Sequence, residues 1–320
     1  MKLGVFSNEN LEPGAFWSNM GPPVLHPLAA NPRAKLIAPG PFRSWGGREF
    51  SHLLKQVYSC DTLFWFQGVA RPDPPIHTIA LVRGIVRRSA LVADCFPTML
   101  GKIGLFATMQ RLDPCFIAMR EGYLELKKRF PLASFEWLPF GVATEVFDSV
   151  PGERPIFAYC MGHRYERLHE AVRDYCAKRN LVYKVTTGGQ IRDRMELGRM
   201  VGSSKYLLVA PSDLATPERA GGFSPFVQRY FEGLSAGSRL LGVLPKSGEY
   251  DLLLPREAMC IVKPDCSDLE EKLDNEQNNV SAFKAVEAAR DLVRREHSWK
   301  RRSEQIWERL NSGKPTGFPQ

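Results

Sequence analysis

Several kinds of signal are missing from this sequence of 320 residues. No segment approaches the roughly 18 consecutive apolar residues of a membrane-spanning helix. The apolar run at residues 3–6 is too short for the hydrophobic region of a secretory signal. No helix-turn-helix, zinc-finger or RNP-type signature is present, which argues against nucleic acid as a partner. No Gly-x-Gly-x-x-Gly follows the first strand predicted in either half of the chain, so a dinucleotide dehydrogenase is disfavoured.

Patterns that hold metal ions or build disulfide frameworks are missing as well. The seven cysteines are odd in number and form no Cys-x-x-Cys pair, which disfavours a disulfide framework and a thiolate zinc site. The six histidines have no ligand spacing such as His-x-x-x-His, and the chain has no Asp-x-Asp pair for a divalent ion. We therefore expect a protein of the reducing cytoplasm with no metal site and no cofactor. A place at the inner face of the membrane stays open.

The composition that is present is that of an ordinary globular protein, with 44% hydrophobic and 24% charged residues. The length favours about two domains. The formal charge of +8 indicates an anionic partner, such as a nucleotide-phosphate substrate or an anionic membrane. Basic residues cluster at 83–88 and at 127–129. The sequence leaves open whether the two clusters share one face, which would favour an anionic lipid or acceptor, or lie on separate solvated helix faces.

Short apolar segments alternate with amphipathic ones along the chain. The clearest predicted strands are residues 2–6, 61–68, 89–97, 155–162, 181–188, 205–212 and 258–263. Helices predicted between them give the pattern of a parallel sheet covered on both faces. A turn-rich segment at 148–155 divides the pattern. We therefore predict an α/β protein of two Rossmann-like domains, residues 1–150 and 151–320, facing across a cleft, with ligand at the carboxyl ends of the strands.

The segment GGFSPFVQRYFEGLSAG, residues 221–237, combines a glycine-rich loop with a predicted helix. Ser224 suits the N-cap, Pro225 the first turn and Gly237 the left-handed stop. The unpaired N–H groups at such a helix start attract an anion such as phosphate. Glu232 is predicted about 12 Å further along the axis, at 1.5 Å per residue. This acid either points to solvent or accepts hydrogen bonds from two vicinal hydroxyls of a ribose.

Four segments resemble, in order and at plausible spacing, the GT-B glycosyltransferases of the retaining group whose motif is two glutamates separated by seven residues. SPFVQRYFEGLSAGSRLLGVLP resembles their donor-binding helix, and Glu232 falls on the second, ribose-binding glutamate. The other three segments are similar to the end of the first domain, the opening strand and basic turn of the second, and the C-terminal helix; they are residues 137–147, 157–168 and 297–310. The resemblance covers mainly residues 135–310. It implies a GT-B fold whose C-terminal helix returns toward the first domain.

One position departs from the motif. The first glutamate is replaced by Ser224, as in a branch that resembles spore-maturation glycosyltransferases, which leaves the sugar contact and the stereochemical outcome open. The predicted catalytic residues are Arg167, Asp94 and Ser224. The predicted donor-binding residues are Gly14, Arg164, Arg167, Arg192, Pro211, Ser212, Gly222, Phe223, Ser224, Pro225 and Glu232.

These residues have different expected roles. Arg164 and Arg167 in the basic turn are predicted to neutralise a leaving diphosphate, and two solvated arginines are the alternative. Pro211 and Ser212 resemble the loop that packs against the nucleotide base. Asp94 ends a predicted strand and is either an acceptor-side base or a turn cap. Gly14 suits a close approach of the backbone to a sugar or phosphate, and Arg192 is a third candidate cation.

The resemblance implies a metal-independent, retaining transferase of the hexosyltransferase class, as used in polysaccharide biosynthesis. It would move a sugar from a nucleoside-diphosphate sugar, its co-substrate, to a hydroxyl of a glycan, lipid or small-molecule acceptor. The alternative is a non-catalytic module that binds a sugar nucleotide or a glycan. Donor hydrolysis without acceptor would separate the two. Nucleic acid is not expected as a partner, and peripheral membrane contact stays open.

Overall fold

The computed structural model describes residues 1–7, 21–37, 47–69, 87–186, 191, 193–276 and 280–319. The chain forms two compact units. The first unit contains Met1–Phe140 and Trp299–Gln320, and the second contains Gly141–Ser298. The division therefore falls ten residues before the position near 150 that the turn-rich segment suggests, and the last helix belongs with the first unit.

Contacts made by the segment after Phe140 explain the position of this division. Asp148 pairs with Arg290 at 3.0 Å and with Arg294 at 2.8 Å, both on a long helix of the second unit. A Cβ atom on Gly198 would lie 1.8 Å from the carbonyl oxygen of Val146, so the helix that carries Gly198 packs directly on this segment. The segment is therefore held by the second unit before any turn occurs.

The first unit is built on a parallel sheet in the order β2-β1-β3-β4-β5-β6. Its strands are β1 Leu3–Ser7, β2 Ala34–Leu36, β3 Thr62–Val69, β4 Arg87–Asp94, β5 Cys115–Ile117 and β6 Phe135–Trp137. The helices between them are α1 Gly21–Ala29, α2 Gly47–Tyr58, α3 Leu100–Met109 and α4 Arg120–Arg129, with a 3-10 turn at Pro97–Met99.

The second unit repeats this plan with a parallel sheet in the order β11-β10-β9-β7-β8. Its strands are β7 Ile156–Met161, β8 Tyr183–Thr186, β9 Ser204–Val209, β10 Arg239–Gly242 and β11 Met259–Ile261. Its helices are α5 Glu166–Lys178, α6 Arg194–Gly202, α7 Ser212–Ala215, α8 Pro217–Ala220, α9 Arg229–Ser235, α10 Glu249–Leu253, α11 Leu269–Glu276 and α12 Val280–Glu296, with a 3-10 turn at Arg256–Ala258.

The central strands are apolar along their whole length because helices cover both faces of a parallel sheet. Every residue of β1 and of β7 is buried. In the first unit, Trp65 packs between Phe6, at 5.5 Å between ring centroids, and Phe106, at 5.1 Å. Each such fully buried side chain contributes about 1.5–3 kcal/mol to folding. Such fully buried segments form interior strands that pair with a neighbour on each side.

The last helix, α13 Trp299–Ser312, packs within the first unit, as predicted for a C-terminal helix that returns to the first domain. Arg302 is buried and donates from Nε to the carbonyl of Pro139 at 2.8 Å. Ser303 donates to the carbonyl of Val24 at 3.1 Å. Among the helices that the structure describes, none combines the length and the apolar character of a bilayer span.

Candidate functional site

Three neighbouring strands of the second unit end at one edge of its sheet. The pairing registers join Tyr159 of β7 to Leu207 of β9, and Val209 of β9 to Gly242 of β10. Because all three strands are parallel, the turns that follow them meet at the carboxyl edge, where open α/β sheets bind ligands. The predicted donor residues that follow β7 and β9 are therefore at this edge.

The helix that carries Glu232 begins later than the sequence predicts. Helix α9 starts at Arg229 with Gln228 as its N-cap, and residues 221–227 have no helical structure. The prediction that Ser224 caps this helix is wrong, and Pro225 is not in its first turn. Glu232 consequently lies in the first turn of α9 and not two turns inside it. The end of the helix is as predicted, since Gly237 has a φ of 73°.

Hydrogen bonds of the preceding loop explain the late start. The buried Ser224 hydroxyl donates to Asp213 Oδ1 at 2.8 Å and accepts from the backbone N–H of Lys246 at 3.0 Å. The N–H of Phe226 donates to the buried carboxylate of Glu249 at 3.1 Å. Ser224 is therefore tied to α7 and to the turn after β10, away from the start of α9.

The other loop residues adopt a tight turn after α8. Gly222 has a φ of 93°, which a glycine adopts without strain. Phe223 is partly buried, and its N–H donates to the carbonyl of Ala220 at 3.0 Å. Pro225 is buried beside Ser224. The structure thus holds this loop by its own contacts, and a ligand role for these residues stays a prediction.

Arg229 links α9 to the end of β7. Its Nη1 donates to the carbonyl of Met161 at 3.1 Å and also to the carbonyl of His163. Glu232 lies one turn further along α9, on the same side of the helix as Arg229. Arg194, the first residue of α6, supplies a second positive charge near Glu232. Neither arginine was predicted from the sequence. The spacing of three residues between Arg229 and Glu232 does indicate that these two side chains share one side of the helix, whereas no such signal exists for Arg194.

The side chain of Glu232 is partly buried. Burial raises its pKa to about 7, and the positive charges of Arg194 and Arg229 act in the opposite direction. Burial also lowers the pKa of Arg194, whereas Glu232 and Glu145 raise it. Among the described residues no side chain donates a hydrogen bond to Glu232, so its interaction with the two arginines is purely electrostatic. This carboxylate can accept hydrogen bonds from a ligand.

Further cations lie at the same edge. Burial, Arg229 and Arg219 together lower the pKa of His163. The positive charges of Arg219 and Arg229 thus lie close to His163, and Arg229 also lies close to Glu232. Arg164 and Arg167 follow in the predicted basic turn; both are exposed, and Arg164 pairs with Glu166 at 2.8 Å. The edge therefore combines a carboxylate to which no described side chain donates a hydrogen bond with several cations, a set suited to a ligand with both hydroxyls and phosphates.

The remaining predicted residues have varied positions. Pro211 is the N-cap residue of α7, and Ser212 is the first residue of that helix, both directly after β9. Asp94 ends β4 in the first unit, opposite Val69 of β3, and is partly buried. Gly14 and Arg192 lie outside the described residues. Over the described part of the chain, no group of three His, Cys, Asp or Glu side chains could hold a metal ion.

Comparison with known proteins adds information on the fold. No protein-family model matches the sequence, and no curated protein matches it. The structure of Anabaena HepE in complex with UDP and glucose is 11% identical in sequence and superimposes with a TM-score of 0.61. The match covers 98% of this chain and 100% of that chain. Sucrose-phosphate synthase from Thermosynechococcus elongatus is 12% identical, with a TM-score of 0.53 and coverage of 88% and 84%.

A third structure is the putative UDP-N-acetylglucosamine 2-epimerase from Listeria monocytogenes, 10% identical with a TM-score of 0.59. It covers 98% of this chain and 97% of that chain. The match extends over nearly the whole chain, so the predicted GT-B fold is confirmed at the level of fold.

Proposed function

We propose that this protein is a glycosyltransferase that takes its sugar from a nucleoside-diphosphate sugar and binds this donor at the carboxyl edge of the second sheet. One observation carries the proposal: Glu232 is partly buried beside the positive charges of Arg194 and Arg229 and accepts no hydrogen bond from the described side chains. Its carboxylate is therefore available to accept hydrogen bonds, and the vicinal hydroxyls of a ribose supply two. Structures of similar fold, such as HepE, contain UDP and glucose or UDP-glucose.

The cations at the same edge fit the rest of the donor. Arg229 lies next to Glu232, and Arg219 and Arg229 both lie near His163, so positive charge adjoins this carboxylate as the diphosphate adjoins the ribose in the donor. In the reaction, the acceptor hydroxyl oxygen bonds to the anomeric carbon and the bond from that carbon to the phosphate oxygen breaks. The leaving diphosphate then carries the electron pair. Arg229, with the exposed Arg164 and Arg167, would stabilise this developing charge without a divalent ion.

The first unit would bind the acceptor, a hydroxyl of a glycan, lipid or small molecule. Asp94 ends β4 at the carboxyl edge of the first sheet, where an acceptor-side base belongs. It would take the proton that the acceptor hydroxyl loses. Retention of configuration and transfer of a hexose belong to the proposal through the resemblance to the two-glutamate group.

A second candidate function is a sugar-nucleotide-binding module without catalysis. It is favoured by Ser224, which stands where the motif has its first glutamate and whose hydroxyl already donates to Asp213. Release of nucleoside diphosphate from the donor, with and without acceptors, separates the two functions. A catalyst releases it at a rate that Asp94→Asn lowers, whereas a binding module releases none.

Calorimetry with a panel of nucleoside diphosphates tests the binding site itself. We expect binding of at least one of them, and an affinity at least about tenfold lower in Glu232→Gln, because one hydrogen-bonded charge contributes about 1.5–3 kcal/mol. The matched control is Glu271→Gln, an exposed acid on α11 of the same unit. Equal affinity of wild type and Glu232→Gln would overturn the assignment of this edge.

A further inference from the structure

The first unit exposes apolar side chains on α3 and α4. Leu105 and Met109, one turn apart on α3, are 59% and 70% exposed. Leu124 on α4 is 44% exposed, and Leu132, in the turn after α4, is 98% exposed. Single exposed leucines are ordinary on protein surfaces, but a group of large apolar side chains on neighbouring elements marks an interaction surface.

The topology brings these side chains to one surface. Strands β4, β5 and β6 are neighbours in the sheet, and right-handed crossovers place α3 and α4 side by side on the same face. Direct packing confirms it, because a Cβ atom on Gly104 of α3 would lie 2.0 Å from the ring of Phe130, the residue after α4. We call the outer surface of α3, α4 and the turn that ends at Leu132 the helix-pair patch.

The helix-pair patch is also basic. Residues 100–132 contain six Lys or Arg and three Asp or Glu, a net charge of +3. Lys102, Lys127 and Lys128 are exposed on the same two helices, and Arg111 is exposed just after α3. Arg88 of β4 lies near Arg111, and burial and the charge of Arg111 lower the pKa of Arg88. Of the basic cluster at 83–88, the structure describes residues 87 and 88. These two residues lie at the same end of the first sheet as the basic cluster at 127–129.

The patch combines positive charges with aliphatic side chains, and this combination favours one class of binding partner over the others. A second copy of the patch would bring like charges together, which disfavours self-association through it. Single-stranded nucleic acid is held by aromatic side chains that stack on bases, and the exposed large side chains here are Leu and Met. An anionic bilayer satisfies both features, since cations meet the headgroups and leucines enter the interface.

We propose that the helix-pair patch docks the first unit on an anionic lipid bilayer. Leu105, Met109 and Leu132 enter the headgroup region, while Lys102, Lys127 and Lys128 meet the phosphates. The inference is independent of the donor site, which lies in the second unit, so either can fail alone. Donor binding, measured by calorimetry on the same variants, keeps the two questions apart.

Vesicle flotation tests the proposal with the full chain. Wild type should float with vesicles of phosphatidylcholine mixed with phosphatidylglycerol at low salt, and not with phosphatidylcholine alone. The triple variant Lys102→Gln, Lys127→Gln, Lys128→Gln should lose about a hundredfold in binding, at about fivefold for each cation. Its matched control is Lys205→Gln, Lys263→Gln, Lys272→Gln, three exposed lysines of the second unit, which should bind like wild type.

The apolar part has its own pair of variants. Leu105→Glu with Leu132→Glu should abolish flotation. Val182→Glu with Met195→Glu, at two apolar residues of the second unit that are 48% and 46% exposed, should leave it unchanged. Far-ultraviolet circular dichroism and melting temperature confirm that each variant folds. Wild type that ignores anionic vesicles, or binds neutral vesicles equally well, overturns the proposal. A dimer or a DNA complex that Leu132→Glu abolishes, without vesicle binding, overturns it in favour of that partner.

Discussion

Two glutamates of the second unit are both partly buried, and their surroundings differ. Glu276 receives a bidentate guanidinium from Arg239, at 2.5 and 2.6 Å, and the same arginine donates to the carbonyls of Glu257 and Ala282. Glu232 has two arginines nearby, yet no described side chain donates a hydrogen bond to it. The protein satisfies the first carboxylate completely. It arranges only the charges around the second, and this difference separates a structural acid from a candidate ligand-binding one.

The largest effect should come from breaking the satisfied pair. Glu276→Ala leaves the Arg239 guanidinium buried without its counter-charge, and we expect a loss of about 3–5 kcal/mol in the free energy of unfolding. Chemical denaturation of wild type and variant measures it. The matched control is Glu271→Ala, an exposed acid on the same helix, which should change stability by less than about 0.5 kcal/mol. A tolerated Glu276→Ala would contradict the interpretation of this pair as structural.

A somewhat smaller effect is expected on catalysis from the arginines. Arg229 is desolvated and lies next to Glu232, whereas Arg167 is exposed. Removing a preorganised charge costs about 2–4 kcal/mol, or 10²–10³ in kcat, when the charge acts on a leaving group in a dry site. We therefore expect Arg229→Ala to lower kcat in this range and Arg167→Ala to lower it less.

The rate of donor cleavage at saturating donor concentration gives kcat for both variants. Arg229→Lys is the conservative control, because it keeps the charge but not the two carbonyl contacts. If Arg167→Ala is the crippling change and Arg229→Ala is not, the leaving diphosphate lies at the basic turn and the role proposed for Arg229 is wrong.

The sequence predicts the fold better than the site, for a physical reason. Strands such as β1 and β7 are continuous apolar runs, and a parallel sheet covered by helices requires that pattern wherever it occurs. The start of α9 depends instead on Asp213 and Lys246, which hold Ser224 from separate loops. Capping rules use local residues only, so they placed the start of the helix four residues early. Glu232 was predicted as a ligand-binding residue because its helix carries a family motif, and that role stays a prediction. Arg194 was missed because only the tertiary fold brings α6 beside α9.

A further test concerns stability and the raised pKa of Glu232. Its pKa of about 7 in the folded protein exceeds the ordinary value of 4.5, so between these values the folded state binds more protons than the unfolded state. Stability therefore falls as the pH rises through this window, by up to about 3 kcal/mol above it. Glu232→Gln should remove this dependence and be more stable than wild type near pH 8, with little difference near pH 4. Denaturation curves at both pH values decide it; a variant less stable at pH 8 would show that the protein, not a ligand, satisfies this acid.

The smallest effect is on the pH dependence of donor affinity. A ribose hydroxyl donates to the ionised carboxylate, so protonation of Glu232 below pH 7 should weaken binding. With that pKa, affinity should fall about tenfold from pH 8 to pH 6. UDP-glucose is a better probe than UDP for this test. The terminal phosphate of UDP itself titrates near pH 6, whereas both phosphates of UDP-glucose are esterified and keep a constant charge over this range. Protonation of His163 would act in the opposite direction, but burial and two arginines lower its pKa and keep it neutral over most of this range. In Glu232→Gln the affinity should be weak and independent of pH, whereas a wild-type affinity that rises on acidification would mean that the cations, and not this carboxylate, control binding.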